Sequence, residues 1–181
     1  GLRLSYLTLN LKRNRNLPST FHPNWNWNLP YDMLKPYYNE DSDFILYNGD
    51  CAEVMKGLDK CTVDLIFADP PYFLSSGKTV RYNDNEKTIY KGAWDETKSL
   101  DEINAFNRRW LSACREVMKN GATIFATGTY HNIFSIASCM MEMGFKILNI
   151  IVWQKTDAKP TLSRNYFNFT TEYIVWARKD M

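Results

Sequence analysis

Apolar positions along the chain fall into short blocks whose period switches between strand-like and helix-like. Residues 44–47, Phe-Ile-Leu-Tyr, predict a short strand closed by Asn48-Gly49-Asp50-Cys51. Asp50 stands where a helix from Cys51 to about residue 58 needs its N-cap. Residues 63–68, Val-Asp-Leu-Ile-Phe-Ala, read as a buried parallel strand that stops at Asp69-Pro70-Pro71-Tyr72-Phe73. Ser99-Leu100-Asp101-Glu102 is a capping-box pattern. Ile103, Phe106, Trp110, Leu111, Cys114, Val117 and Met118 follow it at helical spacing, up to a stop at Asn120-Gly121. Residues 122–127 predict a strand, 132–143 a helix stopped by Gly144, and 145–153 and 172–177 an antiparallel strand pair. Residues 73–98 and 154–169 are polar and aperiodic and predict long loops, which in a compact domain are functional or mobile. Residues 1–34 are rich in Asn, with Trp25 and Trp27, and show neither period; they predict an irregular arm. The alternation of strand and helix argues for an α/β fold of three layers with a mostly parallel sheet.

The break after residue 68 is the chemically distinctive point. Neither proline can donate to a sheet, and each drives its predecessor out of the helical region, so Asp69 and Pro70 are held extended. The outcome is a stiff loop at the carboxyl end of a strand, where open α/β sheets place their ligands. It offers a carboxylate, backbone carbonyls and an aromatic face. A plain strand stop, with Tyr72 as a core residue, is the bland alternative.

Asp-Pro-Pro-Tyr after a strand resembles the catalytic motif of adenine-N6 DNA methyltransferases. The following Phe-Leu-Ser-Ser-Gly, Lys91-Gly92-Ala93-Trp94-Asp95 and Ile151-Val152-Trp153-Gln154-Lys155-Thr156 are similar to the permuted group, in which the catalytic half precedes the glycine-loop half. The likeness is to DpnII-type and HinfI-type modification enzymes and covers residues 35–180. It implies a Rossmann-like, S-adenosylmethionine-dependent methyltransferase fold with an antiparallel edge hairpin. It implies S-adenosylmethionine as cofactor and double-stranded DNA, with single-stranded DNA also open, as substrate.

On that resemblance the Asp69 carboxylate and the Pro70 carbonyl, fixed by Pro71, accept the two protons of adenine N6 and draw its lone pair out of conjugation. A nearby carboxylate also stabilises the positive charge that develops on N6 during transfer. A base within a duplex must be flipped out, and Tyr72 offers it a stacking face. Phe73 shares that role or packs in the core. The resemblance puts Asp50 on the cofactor adenine, with the Cys51 N–H beside it and Asp69 bordering the methyl; for Asp50 the N-cap role alone competes. The loop at 154–169 carries Lys155, Lys159, Arg164 and Asn165 among Tyr166, Phe167 and Phe169. Basic residues interleaved with aromatics suit DNA contact, and a solvated loop with inward aromatics is the alternative. The likeness to DpnII-type enzymes is tighter around Leu162-Ser163 and Tyr166-Phe167, and that resemblance implies GATC rather than GANTC as the target. Trp94 and His131 match the resembled pattern without an evident chemical role.

Composition trims this picture. A chain of 181 residues, 45% hydrophobic and 15% aromatic, suits one domain with a real core. The net charge of +2 is neutral on nucleic acid, and the basic excess sits within residues 1–39, where a solvated tail explains it as well as phosphate contact. Cys51, Cys61, Cys114 and Cys139 form no Cys-x-x-Cys pair, which disfavours metal and disulfide frameworks, and none adjoins a proline, which disfavours cytosine-C5 chemistry. There is no signal peptide and no apolar run of about 18 residues, so the expected location is the cytoplasm. The resembled enzymes continue into a strand ending Asp-Pro-Phe-x-Gly-x-Gly, whereas this sequence has eight glycines and no Gly-x-Gly. The expectation is therefore an arm at 1–34 and, at 35–181, the catalytic part of an incomplete methyltransferase domain. Its partner would be a complementary C-terminal polypeptide or a second copy. Cytosine-N4 methylation and a catalytically silent DNA-binding or partner module remain as alternatives.

Overall fold

The computed structural model describes residues 7–9, 36–37, 45–75, 79–82, 85–88, 95–96, 98–157 and 167–180. Among the described residues ten elements follow one another: β1 (Leu7–Leu9), α1 (Cys51–Lys56), β2 (Val63–Ala68), β3 (Thr79–Tyr82), β4 (Asn85–Thr88), α2 (Leu100–Val117), β5 (Met118–Gly128), α3 (Ile133–Glu142), β6 (Phe145–Gln154) and β7 (Thr171–Lys179). The caps lie where the sequence puts them. Asp50 Oδ1 accepts from Ala52 N at 3.0 Å and Glu53 N at 3.2 Å, opening α1. Ser99 and Glu102 close a reciprocal capping box on α2, which satisfies two otherwise orphaned N–H groups.

The main sheet runs β1-β2-β5-β7-β6. β2 and β5 are parallel, and β7 is antiparallel to both β5 and β6. Thus β2, β5 and β6 point one way, with β6–β7 as the expected edge hairpin. α1 packs on α2, α2 on α3, and α3 on β5, β6 and β7, so the helices form one layer on one face. Beneath them Val63, Ile66, Ile124, Ala126, Val175 and Ala177 make the core with Leu111, Ile136 and Met140. Alternate residues face away. Phe67 is paired with Phe125, and Phe125 with Trp176, which places three aromatic rings in a row on the opposite face. Phe125 and Trp176 stack at 5.6 Å, and Phe67 is 44% exposed. The mixed sheet with its helix layer fits the Rossmann-like α/β fold that was expected, and among the described residues no helix lies on the second face.

Four expectations change. Residues 45–47 form no strand: the Leu46 carbonyl accepts from Tyr37 N at 2.6 Å, and no described strand lies alongside to extend a ladder. α2 stops at Val117, before Gly121. The N–H groups of Cys61 and Thr62 donate to the carbonyls of Glu116 and Val117, and Met118 already pairs with Val63. Asn120-Gly121 instead lies in an irregularity, where β5 advances from Met118 to Thr123 while β2 advances from Val63 to Leu65; Gly121 takes φ +78° there. The loop at 73–98 contains the β3–β4 hairpin. Leu7–Leu9, from the expected arm, lies antiparallel along the free edge of β2. No described helix is long and apolar enough to cross a membrane.

Candidate active site

The register of the parallel pair builds the site. Ala68 is opposite Ala126, so the next residues, Asp69 and Thr127, leave adjacent strands side by side at their carboxyl ends. The Thr127 hydroxyl donates to Asp69 Oδ1 in a short hydrogen bond. The Tyr72 hydroxyl lies 3.0 Å from the same carboxylate oxygen and 3.1 Å from Thr127 Oγ1. Burial pushes the Tyr72 phenol well above its ordinary range; the Thr127 hydroxyl works against that and the Asp69 charge adds to it. Tyr72 is therefore a neutral hydroxyl donor at ordinary pH, with its ring half-buried.

The loop backbone is held at two further points. Asn132 is fully buried at the start of α3, but it does not cap that helix with its side chain. Its amide donates to the Pro71 carbonyl at 2.9 Å, and its Oδ1 accepts from Thr129 N at 3.0 Å. Gly128 makes room for this, since a Cβ there would stand 2.6 Å from Asn132 Oδ1. On the other side the buried Asp95 carboxylate accepts from Leu74 N at 3.3 Å and Ser75 Oγ at 2.9 Å. This gives Asp95 a structural role; Trp94 lies outside the described residues. Between these anchors Phe73 adopts φ +58°, an uncommon conformation for a residue with a Cβ, kept in place by its surroundings.

The expectation that Phe73 shares the stacking role is corrected. Phe73 is 2% exposed and packs edge-on against Phe106 with ring centroids 5.5 Å apart, so it is a core side chain. Pro70 and Pro71 are buried, and Asp69 reaches the surface. Asp50 is the N-cap that was expected, and its Oδ2 also meets Arg109 Nη1 at 2.9 Å. Cys51 is half-buried in the first turn of α1, its thiol pushed up to about 11 chiefly by burial and then by the Asp50 charge. Lys155 sits at the neck of its loop: its N–H donates to Thr170 O at 2.8 Å, and its ammonium pairs with Glu172. Lys159, Arg164 and Asn165 lie outside the described residues.

Two exposed rings stand on the same rim. Tyr130, just beyond β5, stacks on Phe169 at 3.7 Å and 13°, and His131 lies 3.8 Å from the Tyr130 ring. His131 stays neutral at ordinary pH, because burial lowers its pKa against the pull of Asp95. Thr127, Asn132 and Asp95 were not singled out from the sequence. The signal for Thr127 was available: a hydroxyl residue ending the strand parallel to the one that ends in Asp69. Chemically the site presents a carboxylate steered by two hydroxyls, a rigid carbonyl-bearing loop and a half-buried ring. It suits an electron-poor amine that must be held and made cationic.

Comparisons with known proteins point the same way. The family model described as DNA methylase matches residues 63–181. The type II methyltransferase M2.DpnII of Streptococcus pneumoniae is 43% identical over 148 residues, 82% of this chain and 55% of that protein. M2.LlaDCHI of Lactococcus lactis subsp. cremoris is 44% identical over the same length, with the same coverage. The chain therefore spans about half the length of the curated relatives it matches. Among solved structures, PvuII DNA methyltransferase (cytosine-N4-specific) aligns with 74% of this chain and 48% of its own at a TM-score of 0.54 and 13% identity. TTHA0409 from Thermus thermophilus, described as a DNA modification methylase, aligns with 74% and 52% at 0.52 and 19%. These two likenesses bear on the fold alone.

Proposed function

The chain belongs to the DNA methylase family whose model matches residues 63–181, and we propose on that footing that it is the catalytic part of a site-specific adenine-N6 DNA methyltransferase. The observation that carries this reading is the Asp69 carboxylate at the end of the parallel pair, gripped by Thr127 and Tyr72 beside the rigid Pro-Pro carbonyls.

Adenine N6 is a poor nucleophile, because its lone pair is shared with the ring. Asp69 and the Pro70 carbonyl accept its two protons and favour a tetrahedral nitrogen. The carboxylate attraction grows as N6 becomes cationic, so it lowers the barrier rather than merely binding the base. Asp69 need not be a strong base, since the methylated ammonium is acidic and sheds its proton afterwards. The Tyr72 ring supports the flipped base by stacking, which contributes about 1–3 kcal/mol for such contacts. The exposed Tyr130–Phe169 pair and the loop at 154–169, with Lys159, Arg164 and Asn165, are the DNA-facing side of this reading. That loop selects the target, GATC in preference to GANTC.

S-adenosylmethionine, when bound, supplies the activated methyl group on a sulfonium. The fit at this chain's residues is partial. Asp50 Oδ1 serves two helix N–H groups and Oδ2 serves Arg109, but a carboxylate has about four acceptor sites, so capacity for an adenine amino group remains. Cys51 would lie alongside with its backbone N–H, and Asp69 would border the methyl. The amino-acid end and the ribose meet no glycine loop in this sequence. A complementary polypeptide or a second copy is the partner we propose for those contacts.

The test is methyl transfer from labelled cofactor to duplexes bearing GATC or GANTC, by the chain alone and joined to whatever its gene encodes beyond residue 181. N6-methyladenine in GATC is the expected product. Asp69→Ala should lower kcat by about 100- to 1,000-fold, the usual cost of removing one preorganised partner of a developing charge, with the fold intact by circular dichroism. N4-methylcytosine as product, or near-normal turnover by Asp69→Ala, would sink the reading.

A further inference from the structure

An Asp-Pro peptide fixes backbone, not side chain. The Asp69 carboxylate can still turn about its own bonds, and the last torsion of an aspartate is broad. Something must aim it. Thr127 is placed to do so from the adjacent strand, with the Tyr72 hydroxyl on the same carboxylate oxygen. Its position follows from the parallel register, one step beyond the Ala68–Ala126 pair. Thr127 is 9% exposed, and its hydroxyl meets Asp69 Oδ1 as well as the Tyr72 hydroxyl. The Ala68 carbonyl is a longer alternative acceptor at 3.4 Å. Branching at Cβ stiffens the Thr127 rotamer, so the direction of its hydroxyl is set by the strand. Thr127 thereby transmits the rigidity of β5 to a carboxylate carried on a loop.

We infer that Thr127 is a positioning residue for methyl transfer: it holds Asp69 in the orientation that meets the target amine. This rests on the methyltransferase reading and adds to it a residue that neither the motif nor the relatives' names assign. The bland alternative is that Thr127 only satisfies the Ala68 carbonyl and fills the strand end. Thr127→Val keeps the shape and removes the hydroxyl. Thr127→Ser keeps the hydroxyl and loosens its rotamer. The two readings therefore part.

The variants are compared with the wild type in the form of the enzyme that carries out methyl transfer, with steady-state kinetics for cofactor and duplex and with crystal structures. In Thr127→Val, kcat should fall roughly 10- to 100-fold, the scale of a misplaced reacting group, with KM for both substrates within about twofold. Thr127→Ser should recover most of the loss. The Asp69 carboxylate should be turned or doubly placed in Thr127→Val and single in Thr127→Ser. A fully active Thr127→Val overturns the inference, as does an unmoved Asp69 in that variant. A Thr127→Ser variant as impaired as Thr127→Val also overturns it, since that marks a packing role. If the wild type methylates no DNA in any form, the functional reading has failed and this inference falls with it. An active wild type with a fully active Thr127→Val sinks this inference alone.

Discussion

At the scale of single residues, Tyr72 carries two duties that pull on different atoms. Its ring is half-buried and edges the site, while its hydroxyl lies on Asp69 and Thr127. Stacking needs only the ring, so the motif by itself makes Tyr72→Phe look harmless. The structure adds a cost. Removing the hydroxyl takes one donor from Asp69, and a hydrogen bond of this kind contributes on the order of 1 kcal/mol. Tyr72→Phe should therefore lower kcat roughly fivefold with little change in DNA affinity, whereas Tyr72→Ala should lose the ring and weaken base binding as well. Stopped-flow fluorescence with 2-aminopurine at the target base, run beside turnover, separates the two; equal effects of Phe and Ala on base binding would refute the division. Asp69, Pro70, Pro71 and Tyr72 were legible in the sequence because they adjoin one another and their stiffness is local chemistry. Thr127, Asn132 and Asp95 were not, because their partners stand 58, 61 and 21 residues away. A single sequence does not reveal that separation until the strands are in register. Phe73 shows the reverse failure: it sits beside the motif, yet the turn at φ +58° sends its ring inward.

Among the elements, the pairing of α1 with α2 gives the fold a pH dependence. Cys51 opens α1 and Cys114 lies buried in α2. Burial pushes the Cys51 thiol up to about 11, with the Asp50 charge adding to it, and also raises Cys114 well above its ordinary value, with Cys51 a secondary influence. In the unfolded chain both thiols ionise near about 8.5. Between that pH and about 11 the native state thus holds protons that the unfolded state has released, so the contribution of these thiols is complete below about 8.5 and is lost as pH rises. Thermal unfolding followed from pH 8 to pH 10.5 should show a falling midpoint. Cys51→Ser should lose less over the same interval, and identical slopes would refute this account. Exposed Cys61 should react first with a disulfide reagent, and Cys114 only on unfolding. The helix starts behind this arrangement were readable, since caps are local: Asp50 and the Ser99–Glu102 box lie where the sequence puts them. The end of α2 was not, because Asn120-Gly121 is a stop signal that the pairing of Met118 with Val63 overrides. Asn132 was read as the first residue of a helix, yet its side chain serves the Pro71 carbonyl instead.

For the whole molecule, the succession of strands and helices was legible block by block and fits the Rossmann-like α/β fold that was expected, but what covers each face of the sheet was not legible. A strand that is apolar on both sides reads the same whether one face is covered or two. Among the described residues the helices cover one face, and the other presents Phe67, Phe125 and Trp176 in a row across adjacent strands, with Ile174 and Ile151 paired beside them. Ile151 is 42% exposed and Phe67 44%. Apolar surface left in water costs about 25 cal/mol per Å² relative to burial, and a contiguous patch of several rings marks a surface that seeks cover. The 181-residue chain in isolation should therefore bind a hydrophobic dye and scatter light increasingly with concentration. Phe67 and Ile151 point away from the helix layer, so replacing them need not disturb the core. The double variant Phe67→Lys, Ile151→Lys should reduce both dye binding and scattering while leaving the far-ultraviolet circular dichroism of the wild type. A wild-type chain that stays monomeric and dark to the dye at the same concentrations would show that residues outside those described already cover this face.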